Sequence, residues 1–103
     1  MDHTYIHQVA DQLRAHSIHV SHTHIDTPET AAHMGRNYAR LDLTGAGPAQ
    51  SLIWTDHSGW MTSTWADHYP LHSGETHPGP ARVAREVAFH IHTLRSGGYL
   101  KAV

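Results

Sequence analysis

Apolar residues near the start of the chain recur at three- and four-residue intervals. Tyr5, Ile6, Val9, Ala10 and Leu13 fall on one stripe and predict a helix over residues 3–16. Asp2 stands where an N-cap carboxylate would accept from the orphan amides of the first turn. The next segment, 18–25, alternates and is rich in β-branched residues, which predicts a strand. A period of two would set Ile18, Val20, His22 and His24 on one face. Asp26-Thr27-Pro28-Glu29 carries a helix-start signal, and a short helix is expected to run to Met34 and stop at Gly35. A second strand is expected at 37–43, with Ala39, Leu41 and Leu43 inward, before a Gly/Pro loop at 44–48.

Residues 51–66 give the clearest local signal, a β-hairpin. Asp56-His57-Ser58-Gly59 has Asp at the first turn position and Gly at the last, as a type I turn with a following bulge prefers. Pairing Asp56 with Trp60 sets Trp54 opposite Thr62, and Trp54 and Trp60 become diagonal neighbours on one face. Ile53, Met61 and Trp65 fall on the other. Residues 67–79 hold three His, two Pro and two Gly and are expected to be irregular. A closing helix is expected from Pro80 to Ser96, stopped by Gly97-Gly98. Its stripe is Val83, Val87, Ile91 and Leu94, with His90 inside it. Phe89 lies on the opposite side, beside Arg82 and Arg85.

Together these elements predict one α+β domain over 1–103. It has a small, mainly antiparallel sheet of four strands (18–25, 37–43, 50–56, 60–66), covered by the helices at 3–16 and 80–96 and flanked by the short helix after the first strand. Both faces of the hairpin are partly apolar, and one layer of helices can cover only one of them.

Composition narrows the chemistry. The chain has 103 residues and no cysteine, so disulfides, thiolate metal sites and cysteine nucleophiles are excluded. No long apolar run predicts a membrane span or a signal peptide, and a net charge of −2 supplies no footprint for nucleic acid. Thirteen histidines against seven Lys and Arg is the unusual number. Full protonation would carry the formal charge from −2 to +11, although an Arg-, Ala- and Gly-rich composition also fits codon bias in a GC-rich genome.

Histidines also offer metal ligands. His3 and His7 are four apart on a helix, and His22 and His24 are two apart on a strand. If the first helix packs over the first strand, the four can converge on Zn, Ni or Cu. The plainer alternative is that His22 and His24 finish the wet end of the core. His68, His72 and His77 form a looser trio in the irregular connection. His90, on a buried stripe, reads as a hydrogen-bonded core histidine; if neutral in the fold, its protonation below about pH 6 would destabilise the domain.

Catalytic patterns are missing. His57-Ser58 sits in a turn where the two side chains diverge, and there is no Gly-x-Ser-x-Gly elbow. Asp26 and Asp42 can orient a histidine only as any scattered acid can, so no enzyme is expected.

Two stretches carry a resemblance. Trp54-Thr55-Asp56-His57-Ser58-Gly59-Trp60 is similar to the hairpin of an uncharacterised actinobacterial family of small proteins, and Pro78-Gly79-Pro80 through Val87 resembles the Pro-x-Pro opening of that family's last helix. Here the turn begins one residue later than the Trp-Asp pair of that pattern, and the following linker is richer in His. The resemblance implies an actinobacterial, cytoplasmic protein and brings no activity with it.

The function expected is a small, non-catalytic interaction module, homodimeric or bound to another protein, with Trp54, Trp60, Met61, Trp65 and Phe89 as contact residues. A histidine-based metal protein using His3, His7, His22 and His24 is the alternative, and a small regulatory or inhibitory protein of a mobile element is a third.

Overall fold

A computed structural model describes residues 3–26, 37–65, 67–71 and 76–96. Helix α1 (His3–Ala15) and helix α2 (Pro80–Arg95) flank, in sequence, an antiparallel sheet of five strands: β1 (His19–Asp26), β2 (Tyr38–Thr44), β3 (Ser51–Thr55), β4 (Gly59–Ser63) and β5 (His68–Pro70). The strands lie side by side in chain order, β1-β2-β3-β4-β5. The fold class is therefore α+β as expected, but the sheet has one strand more than the four predicted. The helix expected at 28–34 lies outside the described residues.

In the apolar stripe of α1, Ile6, Val9, Ala10 and Leu13 are all buried and Tyr5 is partly buried against them. Its end is a Schellman motif. Ser17 N–H donates to the Arg14 carbonyl and Ile18 N–H to the Leu13 carbonyl, while Ser17 takes a positive φ of 61°. Ile18 and Leu13, the two residues that this motif brings together, are both buried. Glycine is the usual occupant of such a site, because a Cβ is disfavoured in the left-handed region.

The histidine face of β1 is overturned by a bulge. Register slips between Val20 and His22: Val20 opposes Leu43, but His22 opposes Asp42 and Thr23 opposes Leu41. The extra residue, Ser21, inverts the alternation beyond it. Thr23 and Ile25 therefore follow Val20 onto the core side, and His22 and His24 go to the opposite face with Asp42 and Arg40. A strict period of two had placed them with Ile18 and Val20.

The second strand is as predicted, with Ala39, Leu41 and Leu43 buried. In the hairpin the turn is Asp56-His57-Ser58, so Thr55 pairs with Gly59 and Trp54 stands directly opposite Trp60 rather than Thr62. Gly59 adopts φ 72°, and Ser58 N–H donates to Thr55 Oγ1. Asp56 is used elsewhere: its carboxylate accepts from Asn37 Nδ2 at 2.9 Å and ties the turn to the start of β2. The partner has moved by two residues, so each side chain keeps its expected face.

The fourth strand stops at Ser63, not at residue 66. Thr64 closes a tight turn on Asp67, each backbone amide finding an acceptor in the other residue, and β5 then pairs with β4 where an irregular connection was expected. Three residues ending in Pro70 carry too little pattern to announce a strand, and proline is tolerated there because β5 is an edge.

Both helices cover one face of the sheet. Leu52, Trp54, Trp60 and Thr62 meet Val83, Ala84, Val87, His90 and Ile91 of α2 and the stripe of α1 in one core. Among the described residues, no helix is long and apolar enough to cross a membrane.

Ser17→Gly should stabilise the protein by about 1 kcal/mol, since glycine holds the left-handed C′ position without the Cβ penalty. Thermal unfolding would show it as a rise of about 4–8 °C in Tm; an unchanged or lowered Tm would mean that Ser17 contributes more to the folded state than its backbone strain costs.

Candidate functional site

Two of the three tryptophans are interior. Trp54 and Trp60 are 1% and 2% exposed, on the core side of β3 and β4. Their rings lie 6.3 Å apart, and Tyr5 of α1 approaches both at 6.4 and 6.2 Å. Burying an indole requires a partner for its N–H. Trp54 Nε1 donates to the Thr76 carbonyl at 2.6 Å. Trp60 Nε1 donates to Tyr5 Oη at 3.0 Å, and Tyr5 Oη donates in turn to the Pro78 carbonyl at 2.7 Å. His77, between these acceptors, packs its ring 5.3 Å from Trp54 and 5.2 Å from Tyr5. The chain leading into α2 is thus fastened over the hairpin. Trp54 and Trp60, predicted as contact residues, are instead structural.

The polar pair on the same side of the sheet is also sealed. His90 Nδ1 lies 2.9 Å from Thr62 Oγ1, and the two residues are 1% and 0% exposed. A hydroxyl beside an imidazole has the composition of a nucleophile and base, but no substrate can reach this one. His90 is the hydrogen-bonded core histidine that its place on the stripe implied.

Among the described residues, no helix packs on the opposite face of the sheet, where Ser51 and Ser63 are nonetheless buried. Its middle row, read across the register, is His24, Arg40, Ile53, Met61 and Pro70. One neighbouring row runs His22, Asp42, Ser51, Ser63 and His68. Ile53 and Met61 are directly paired and only partly buried. Arg40 Nε and Asp42 Oδ1 form an ion pair at 2.9 Å, and His24 meets the Tyr38 ring edge-on at 6.5 Å. Trp65, in the turn after β4, is 82% exposed. The face is a short apolar centre within a polar surround, and the exposed indole belongs to the turn at its β4 end.

Phe89 is 57% exposed, but on the outward side of α2 with Arg82 and Arg85. The helical layer and the sheet separate it from Met61, so the predicted contact residues do not form one surface. The predicted metal ligands are also dispersed. His7 is exposed on α1, His22 and His24 are exposed on the far face of the sheet, and the side chain of His3 lies outside the described part. The β1 bulge turns His22 and His24 to the face away from the helices, and His7 is on the exposed side of α1. Among the described residues, no group of three or more His, Asp or Glu is arranged to hold a metal ion.

No family model matches the chain, and neither a curated protein nor a solved structure matches it.

Two substitutions probe the interior. Tyr5→Phe removes the acceptor of Trp60 Nε1–H and the donor to Pro78, and should cost about 1–3 kcal/mol in denaturant unfolding. Thr62→Val keeps the volume but removes the bond to His90 Nδ1, with a loss of the same order. If either variant were as stable as the parent, the polar bonds beneath the helices would contribute little to the fold.

Proposed function

We propose that this protein is a non-catalytic interaction module that pairs with a second copy of itself through the outer face of its sheet. Met61, with its partner Ile53, forms the centre of the contact, and Trp65 anchors its edge. The observation that carries this reading is the exposure of Trp65 next to a sheet face that no described helix covers. A large indole in water is costly surface, and Trp and Met are enriched where proteins meet.

Five strands about 4.8 Å apart and three to eight residues long make a face roughly 20 Å across. A patch of this size sits at the low end of specific interfaces, so the expected complex is a reversible dimer with a dissociation constant on the order of micromolar. The Arg40–Asp42 pair puts both signs of charge on one patch, which is compatible with a self-complementary two-fold contact.

Sedimentation velocity across a concentration series should show monomer giving way to dimer, and Met61→Ser with Trp65→Ser should hold the protein monomeric. Neither residue is in the core, so the variant's Tm at low concentration should stay within a few degrees of the parent's, as surface substitutions usually shift stability by only about 0.5 kcal/mol. Trp60→Ala cannot serve here, because truncating that buried ring costs about 3–5 kcal/mol. Acrylamide quenching reports on the same surface. Trp65 should dominate the quenchable fluorescence in dilute solution and lose accessibility as the dimer forms. A parent protein that stays monomeric at millimolar concentration would overturn the proposal.

A further inference from the structure

The ends of both helices and the β2–β3 loop enclose a cleft of about 250 Å³. Its polar side chains are His16, Ser17 and Thr44 together with His92 and Arg95. Its floor is apolar, formed in part by Ile18, Ala46 and Ile91, all buried. None of the described residues that line it is acidic.

Arg95 is held in place by the loop. Its Nη2 donates to the Gly45 carbonyl, and its stem lies against Gly47, where an added Cβ would come within 2.9 Å of Arg95 Cγ. Gly47, at φ 62°, therefore admits both the turn and the side chain crossing it. One guanidinium bond leaves further N–H donors available. His16 is also fixed: its Nδ1 is 2.9 Å from the Gln12 carbonyl, which can only accept, so Nδ1 carries the hydrogen.

Helix C-termini ordinarily repel anions through their unpaired carbonyls. Here several of those groups are met by the chain itself. The Gln12, Leu13 and Arg14 carbonyls accept from His16, Ile18 and Ser17, and the His92 and Thr93 carbonyls accept from the Ser96 amide and hydroxyl. The fixed charge left at the rim is the guanidinium, with two imidazoles beside it.

The geometry points to a binding site for a small organic carboxylate with a short branched aliphatic body. The carboxylate would meet Arg95 and His92, and the aliphatic part would rest on Ile18 and Ile91. The volume lies just below the usual range for ligand pockets of about 300–1,000 Å³, which restricts the ligand to a few carbons. This site is separate from the sheet face and does not depend on dimerisation.

Isovalerate is a suitable probe, followed by amide chemical shifts in ¹⁵N-labelled protein. Saturable shifts confined to Ser17, Gly45, Ala46 and His92 are expected, with none from the neutral isostere isovaleramide. Arg95→Gln should weaken binding about tenfold, the worth of one charge-assisted hydrogen bond. Should that variant loosen the loop, as its own spectrum would reveal, His92→Gln gives the same test with the Arg95–Gly45 contact intact. Equal shifts from isovaleramide would overturn the site, as would affinity unchanged in His92→Gln and Arg95→Gln. Inorganic phosphate binding there while isovalerate does not would overturn it too, since the apolar floor would then have no part in recognition.

Discussion

Two buried indole N–H groups organise this protein. Neither Trp54 nor Trp60 can be sealed beneath a helix unless its nitrogen finds an acceptor, and both acceptors come from outside the hairpin. One is the Thr76 carbonyl and the other is the Tyr5 hydroxyl, which passes its own hydrogen to the Pro78 carbonyl. A residue from the first helix and a segment just before the last are thereby drawn to the same place. The entrance to α2, its position over the sheet and the packing of α1 across the hairpin all follow from meeting that requirement. Apolar burial supplies most of the favourable free energy, but it is not directional; the hydrogen bonds decide where the segments sit.

Committing the largest side chains to one face determines the character of the other. With Trp54, Trp60, Leu41 and Leu52 turned toward the helices, the outer positions of the central strands are left with Arg40, Ile53 and Met61. A solvated antiparallel face is ordinarily polar throughout, and the Ile53–Met61 pair departs from that. The molecule thus has an interior rich in aromatic rings and an outer surface whose apolar content is small and localised. The proposed self-association and the proposed anion cleft occupy different surfaces, one on the sheet and one at the helix ends.

Much of the architecture was legible in single residues. The α1 stripe, the inward set Ala39, Leu41 and Leu43, and the α2 stripe with His90 within it all follow from periodicity, and the structure buries them except Tyr5 and Leu94, which pack partly buried against the core. Besides β5, three features were not legible. The bulge at Ser21 leaves no distinctive residue, because serine fits a regular strand as well as a bulged one; its effect on His22 and His24 appears only when β1 is set against β2. The hairpin register turned on Thr55 capping Ser58 while Asp56 was drawn to Asn37, a residue nineteen positions away. The cleft is assembled from a helix cap, a glycine loop and a distant arginine, which share no local pattern.

By itself, the order of apolar and polar residues determined the two described helices, most of the strands, the α+β class and the faces of the hairpin, because each depends on spacing within a few residues. Only the tertiary structure decided which tryptophans are interior, which way the β1 histidines point and where Arg95 rests. Those outcomes depend on contacts between residues far apart in the chain, and a partner such as Tyr5 for Trp60, or Gly45 for Arg95, cannot be identified until the fold has brought the two together.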